Sequence, residues 1–459
     1  MQIDIKNFNG KKIFFSGIGG VSMSSLAIVL KNNNYQVSGS DRNSSKITDL
    51  LIENGITDIK FEQTAENIKN IDLLVRTAAI SNDNPEIVKA KELNIPIMER
   101  STLLGQIMRE YDERINVSGT HGKTTTTAMM SLVLMYAGLK PTVMVGGDFD
   151  KIGGNFLSGN KDYFVCEACE YVESFLEFYP TSSIILNVEE DHLDYYKDIE
   201  HIKSAFKKFA LKTEKIVMAN SDDENIIDLT KDFSSKIIYF GINNGKYRAK
   251  NIVYNKSTTE YDLYAENVFL AKITLKVAGK HSVLNSLAVA GLSNELGIDI
   301  SHVKTALFDF TGAKRRMEFI CESNGITIYD DYAHHPTEIL TTISSLRQKN
   351  PTRIVALFQP HTYTRTKALK ADFIKALSSI DKLYICDIYA AREKNPGDVH
   401  SKDLVEMLPN AEYVGDVEAA AKAIEKELKS GDYFVTIGAG DVYKAGLVVK
   451  EDFLTYETV

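Results

Sequence analysis

The chain has 459 residues, 44% hydrophobic and 25% charged, with a formal net charge of −9, four cysteines and no tryptophan. Its length predicts about three domains at roughly 150 residues each, and the acidic balance argues against a nucleic-acid binder, which usually carries a basic stripe. No signal-type apolar core opens the chain and no run reaches the roughly 18 apolar residues of a membrane span, while cysteines too sparse for a disulfide framework point to a reducing, cytoplasmic setting.

The first unit opens with the strand KIFFS (12–16), the loop Gly17-Ile18-Gly19-Gly20 and an amphipathic helix from about Ser22 to Lys31. A second strand, YQVSGSD, ends in Asp41, and further strands are expected at 72–77 and 95–99. This is a βαβ start of dinucleotide-binding type, with Ser22 where the third glycine would stand and Asp41 placed to accept from a ribose hydroxyl. By itself the pattern says only that a phosphate sits near a helix N-terminus.

Residues 114–127, RINVSGTHGKTTTT, carry the strongest signal. An apolar strand runs into Gly119-Thr120-His121-Gly122-Lys123-Thr124 and then into a helix-compatible stretch, which aims backbone N–H groups at a phosphate. Lys123 supplies a point charge for the β- and γ-phosphates and Thr124 a hydroxyl for a phosphate-bound Mg²⁺. Val117 stands where an eight-residue P-loop has its first glycine, so the loop is a shortened variant. Apolar strands follow at 142–145, 163–168, 183–188, 215–219 and 236–240; the alternation over 247–277 predicts a β-hairpin excursion, and 281–296 a helix.

Two acidic segments close apolar strands: FVCEACE (164–170) with Glu167 and Glu170, and NVEEDHLDYY (187–196) with Glu189, Glu190, Asp191, His192 and Asp194. Strand ends of an open α/β sheet are where ligands bind, so these are either solvated acidic loops or the carboxylate and imidazole that complete a Mg²⁺ site. The C-x-x-C of Cys166 and Cys169 has no second pair and follows a strand, so neither zinc nor redox duty is expected of it. The third unit begins near Lys314, with strands at 326–331, 353–358, 382–387 and 432–437. Two histidine-bearing loops, DDYAHHPTE (330–338) and FQPHTYTRTKAL (358–369), follow its strands and bring His334, His335, His361, Arg365 and Lys367 to strand ends.

From FSGIGGVSMSSLA (15–27) through GTHGKTTTT, EACE, NVEEDHLDYY, GKHSVLNSLA (279–288), FTGAKRRMEF (310–319), DDYAHHPTE, FQPHTYTRT and GAGD (438–441), the chain resembles the Mur ligases almost end to end. The double histidine and the FQPHxYTRT segment are similar to the L-alanine-adding branch and its relative, murein peptide ligase. The resemblance implies a three-domain α/β architecture: a Rossmann-like UDP-sugar domain over 1–110, a P-loop-type ATP-binding domain over 111–314, and a Rossmann-like domain over 315–459 that contributes to ATP and amino-acid binding. It implies ligation of L-alanine to the lactyl carboxylate of UDP-N-acetylmuramate at the expense of ATP, through an acyl phosphate, in peptidoglycan precursor synthesis. The alternative is attachment of a recycled peptide to the same sugar nucleotide. A monomer or homodimer is expected.

By the same resemblance, Gly119, Thr120, His121, Gly122, Lys123, Thr124 and Thr125 bind the ATP phosphates, with His121 also near the sugar nucleotide, and Thr124, Glu167 and His192 ligate Mg²⁺. His281 and Asn285 contact adenine, Arg316 the phosphates and Asp331 the ribose. Gly17, Ile18, Gly19, Gly20 and Asp41 hold the UDP moiety, while His334 and Arg365 face the muramyl carboxylate and alanine; Lys123, His192, His334 and Arg365 are the catalytic set. Two departures stand out: Thr362 replaces an expected arginine, leaving the alanine carboxylate to Arg365 or Lys367, and EACE replaces EADE with Glu167 retained. An NAD-dependent enzyme built on the Gly17 loop leaves the second phosphate loop and both histidine loops unexplained.

Overall fold

Strands of a parallel sheet are covered on both faces, so they read as continuous apolar runs rather than alternations. The computed structural model, which describes residues 3–77, 79–193, 195–233, 236–391 and 393–456, bears this out. Alternate residues of the strand Arg353–Phe358 enter two different cores: Ile354, Ala356 and Phe358 one, Val355 and Leu357 the other. Asp194 lies outside the described residues.

Contacts divide the chain into two compact units, Met1–Val188 with Glu200–Ala219 and Asp223–Ile238, and Glu189–Ile199 with Asn220–Asp222 and Tyr239–Val459. The first unit contains a five-stranded parallel sheet in the order Ile59–Lys60, Gln36–Ser40, Lys12–Ser16, Leu73–Arg76, Ile97–Glu99. The strand order reverses between Lys12–Ser16 and Leu73–Arg76, a switch point at whose carboxyl end a crevice opens. Ser16 is level with both Ser40 and Arg76, so the Gly17 loop and Asp41 emerge together.

Also in the first unit, apart from Asn220, strands run in the order Ile216–Asn220, Ser182–Ile185, Glu113–Ser118, Tyr163–Glu167, Thr142–Phe149, Gly154–Leu157, parallel except for the last pair. Ser118 pairs with Ile185 and Val117 with Glu167, so the loops that follow these three strands leave one end of this sheet.

In the second unit the expected hairpin is a three-stranded antiparallel meander, Tyr247–Tyr254, Thr259–Ala265 and Val268–Leu275, packed on the helix Lys280–Glu295. Its other sheet runs Glu318–Ser323, Ile326–Asp331, Asp432–Ile437, Arg353–Phe358, Lys382–Cys386, Ala411–Gly415, with only the first strand antiparallel. Both Asp331 and Phe358 pair with Ile437, so the two histidine loops and the glycine turn at Gly438 share one sheet end. No helix among the described residues is long and apolar enough to cross a membrane.

Candidate functional site

The strand Glu113–Ser118 ends in Gly119, with φ 141°, and the helix Lys123–Tyr136 begins after Gly122, with φ 86°. Both angles belong to the region that favours glycine. A Cβ at 119 would sit 3.0 Å from the Leu186 Cβ and 3.2 Å from the Asn187 nitrogen. No side chain caps the helix, so its first N–H groups are left for an anion. Asn187 fixes the loop from the neighbouring strand: its side-chain oxygen accepts from His121 N at 2.7 Å, its side-chain nitrogen donates to His121 O at 3.1 Å, and its carbonyl accepts from Thr120 N at 3.1 Å.

Lys123 Nζ donates to Gly119 O at 2.6 Å, to Thr120 O at 3.1 Å and to both Glu170 oxygens at 2.9 and 3.1 Å. Burial opposes its charge, but the Glu170 carboxylate outweighs that and holds the ammonium protonated well above the usual lysine range. Thr124 is buried in the helix's first turn, followed by half-buried Thr125. Glu167, at the end of its strand, accepts a hydrogen bond from the Gly146 N–H, and a Cβ on Gly146 would lie 2.7 Å from each Glu167 oxygen. A threonine hydroxyl and a fixed carboxylate are the hard oxygen donors that Mg²⁺ prefers, so the residues present fit that ion. Burial pushes the Cys169 thiol up to about 11 and Cys166 higher still, which disfavours thiolate chemistry.

In the Gly17 loop, Gly17 has φ 80°, and the Gly17 and Ile18 N–H groups both donate to Ser40 O at 2.8 Å. Asp41 Oδ2 accepts from Gly19 N at 2.8 Å, and Gly20 precedes the helix Val21–Asn32 without a side-chain cap. A Cβ on Gly19 would lie 2.8 Å from that same Asp41 oxygen, so a side chain there would displace the carboxylate. Beside Asp41 opens a cavity of about 480 Å³ walled by Arg42, Phe61, Glu62, Gln63 and Asn84 among others.

The second unit carries the remaining residues. His281 follows Gly279 (φ 100°) at the start of the helix Lys280–Glu295, its Nε2 lies 3.2 Å from Ser282 Oγ, and burial pushes its pKa down to about 4. One turn on, the Asn285 side-chain nitrogen is buried without a hydrogen-bond partner, an orphan donor suited to a ring nitrogen such as adenine's. Arg316 sits between two left-handed residues, Arg315 (φ 58°) and Met317 (φ 49°), with Tyr332 under its guanidinium. Asp331 pins this turn, accepting from Met317 N at 3.1 Å, Ala333 N at 2.8 Å and Thr342 Oγ1 at 3.1 Å. A carboxylate has about four acceptor positions, so one remains for an outside hydroxyl. Burial raises Asp331 to about 6, with Arg316 opposing.

His334 donates from Nδ1 to Tyr332 O at 2.9 Å, which leaves Nε2 as the acceptor of a neutral ring. Burial pushes its pKa down to about 4. Arg365 is held on two edges: Nη2 and Nε reach Asp191 Oδ1 at 3.0 and 3.4 Å, and Nη1 reaches His361 Nδ1 at 3.2 Å. Burial works against the Asp191 charge, but Arg365 holds that carboxyl well below its usual range. His192 adopts φ 54° and donates its N–H to Asp191 Oδ1 at 2.7 Å. Thr362, also left-handed at φ 67°, places no cation beside Arg365, while Lys367 pairs with Asp398. Thus Thr124, Glu167 and the Gly119–Lys123 loop gather in the first unit, and His192 belongs to the second.

Sequence reasoning passed over Gly146 and the loop-fixing role of Asn187. A glycine inside a strand, as in VMVGGDF, signals a close approach; Asn187 opens a segment read only for its charges.

Residues 12–112 match the Mur ligase family catalytic domain, 117–293 the Mur ligase middle domain and 315–440 the Mur ligase glutamate ligase domain. The UDP-N-acetylmuramate–L-alanine ligase of Acetivibrio thermocellus is 47% identical over 451 residues, 96% of each chain. That of Clostridium perfringens is 45% identical over 97% of this chain and 99% of its own. A crystal structure of the UDP-N-acetylmuramate–alanine ligase from Thermotoga maritima superimposes with a TM-score of 0.83 at 32% identity, covering 97% of this chain and 100% of that one. With two phosphate-type loops, a fixed carboxylate beside the second and matches in all three segments, the chain belongs to the Mur ligase family of ATP-dependent ligases.

Proposed function

We propose that this protein joins L-alanine to the lactyl carboxylate of UDP-N-acetylmuramate, consuming ATP, in peptidoglycan precursor synthesis. The observation that carries the reading is the Gly119–Lys123 cradle with Glu167 fixed beside it, supported by relatives at 47% and 45% identity that bear that activity in their names. Residues 1–110 would serve the UDP moiety, 111–314 the ATP phosphates and adenine, and 315–459 would contribute to ATP and amino-acid binding.

A carboxylate does not acylate an amine unaided; bound MgATP supplies the phosphoryl group that converts it to an acyl phosphate. Lys123 and the uncapped helix N-terminus hold the phosphates and offset their charge. Thr124 and Glu167 would hold Mg²⁺, Asn285 and His281 the adenine, Arg316 a phosphate and Asp331 the ribose. Arg365 takes the alanine carboxylate, and the neutral His334 Nε2 accepts a hydrogen bond from the incoming amine, orienting its lone pair for attack. The Gly17–Gly20 loop and Asp41 hold the diphosphate and ribose of UDP, and the adjoining cavity takes its base.

Purified protein with ATP, Mg²⁺ and UDP-N-acetylmuramate is expected to release phosphate rapidly only when L-alanine is added. Alanine-independent release, or preferred turnover of an L-Ala-γ-D-Glu tripeptide, would overturn the assignment.

A further inference from the structure

Glu86 is a wholly buried carboxylate with no part in the chemistry described above. It is the second residue of the helix Pro85–Glu92, whose start is capped by Asn84. Its Oε2 accepts from the Ser16 and Ser40 hydroxyls, the latter at 2.8 Å, and its Oε1 accepts from Asn67 Nδ2 at 2.8 Å. Ser16 and Ser40 are register partners that end two neighbouring strands, immediately before Gly17 and Asp41. The Ser40 carbonyl takes the Gly17 and Ile18 N–H groups. On the other side, Asn67 Nδ2 also reaches Glu62 O at 2.6 Å, and Asn84, which caps the Glu86 N–H, donates to Gln63 Oε1 at 3.1 Å. Glu62, Gln63 and Asn84 wall the 480 Å³ cavity.

We propose that Glu86 is a positioning residue for the sugar nucleotide: one carboxylate that sets the spacing between the diphosphate loop and the cavity beside it. Burying a charge of the same sign as the ligand is costly, so a plain need for one acceptor does not account for it. A carboxylate offers up to four acceptor positions and no donor. It therefore receives two hydroxyls and an amide at once, which an amide side chain of equal size cannot do without turning its own N–H groups on one of them. The inference rests on the reading of the Gly17 loop as the UDP site.

The test uses the intact protein, with UDP as the calorimetric probe and KM values for all three substrates. Glu86→Gln is expected to raise the UDP Kd and the KM for UDP-N-acetylmuramate about tenfold, the effect of one lost charge-assisted hydrogen bond. The KM for ATP, the KM for L-alanine and kcat should stay at wild-type values. Ser40→Ala and Asn67→Ala, each removing one donor, should weaken UDP binding in the same sense, and each should be less than additive with Glu86→Gln. Unchanged UDP binding in Glu86→Gln, or in both donor variants should Glu86→Gln not fold, overturns the proposal, as does a rise in all three KM values together. Asp41→Ala separates the two ideas: weakened UDP binding there with none in Glu86→Gln sinks only the role of Glu86, whereas no effect in either sinks the loop assignment as well.

Discussion

Gly146 and Glu167 meet across adjacent strands: the glycine N–H donates to the carboxylate, and both carboxylate oxygens stand 2.7 Å from where a Cβ would be. The glycine's backbone angle is one an alanine can adopt, so the space alone demands its absence. Gly146→Ala is therefore expected to push the Glu167 carboxylate aside and raise the Mg²⁺ concentration needed for half activity by about tenfold or more, the scale on which partners of a metal ligand act. Thermal unfolding should change little. A magnesium titration identical to wild type would refute the role of Glu167.

The Lys123–Glu170 pair is almost fully enclosed, with side chains 16% and 3% exposed. Removing one member of a buried pair costs about 3–5 kcal/mol, and the two carbonyls that also bind Lys123 place Glu170→Gln at the low end, near 3 kcal/mol. Denaturant unfolding measures this. Lys123→Ala should in addition lower kcat by roughly 10²–10³, as loss of a preorganised contact to transferred charge does; near-normal phosphate release would remove Lys123 from the reaction.

Acid sensitivity follows from His334 and His281, both pushed down to about 4 by burial. A histidine that is harder to protonate when folded stabilises fully above its unfolded pKa, about 6.5, and loses that stabilisation as pH falls toward 4. Each contributes on the order of 3 kcal/mol over that window. Asp331, raised to about 6, acts in the opposite sense, favouring the fold as pH falls from 6 toward its ordinary value. Two groups outweigh one, so stability should fall between pH 6.5 and 4, and His334→Gln should flatten the slope. Equal unfolding free energies at pH 7 and 4.5, or the same loss between them in both proteins, measured by urea unfolding, would contradict this.

Arg365 spends one edge on Asp191 and another on His361. Lysine cannot reproduce that fork. Arg365→Lys is expected to raise the KM for L-alanine by about 30–150-fold, the worth of a charge-assisted contact of 2–3 kcal/mol, with UDP-sugar binding unaffected. Because Thr362 supplies no second guanidinium, little residual affinity should remain. Alanine saturation curves decide it.

What the sequence by itself determined is local. Strand, glycine loop and helix at 12–32 and 113–136 follow from apolar runs, from glycines that accept positive φ and from uncapped helix starts, all written within a few residues. The antiparallel pairing after residue 247 was equally legible, since alternation is a property of neighbours, although the sequence pointed to a hairpin and the structure adds a third strand. The tertiary structure decided which side chains meet. Glu86 reaches Ser16 across 70 residues, Asn187 reaches His121 across 66, and Arg365 reaches Asp191 across 174. Such pairings carry no periodic trace, because sheet order and register, not adjacency in the chain, bring those strand ends together.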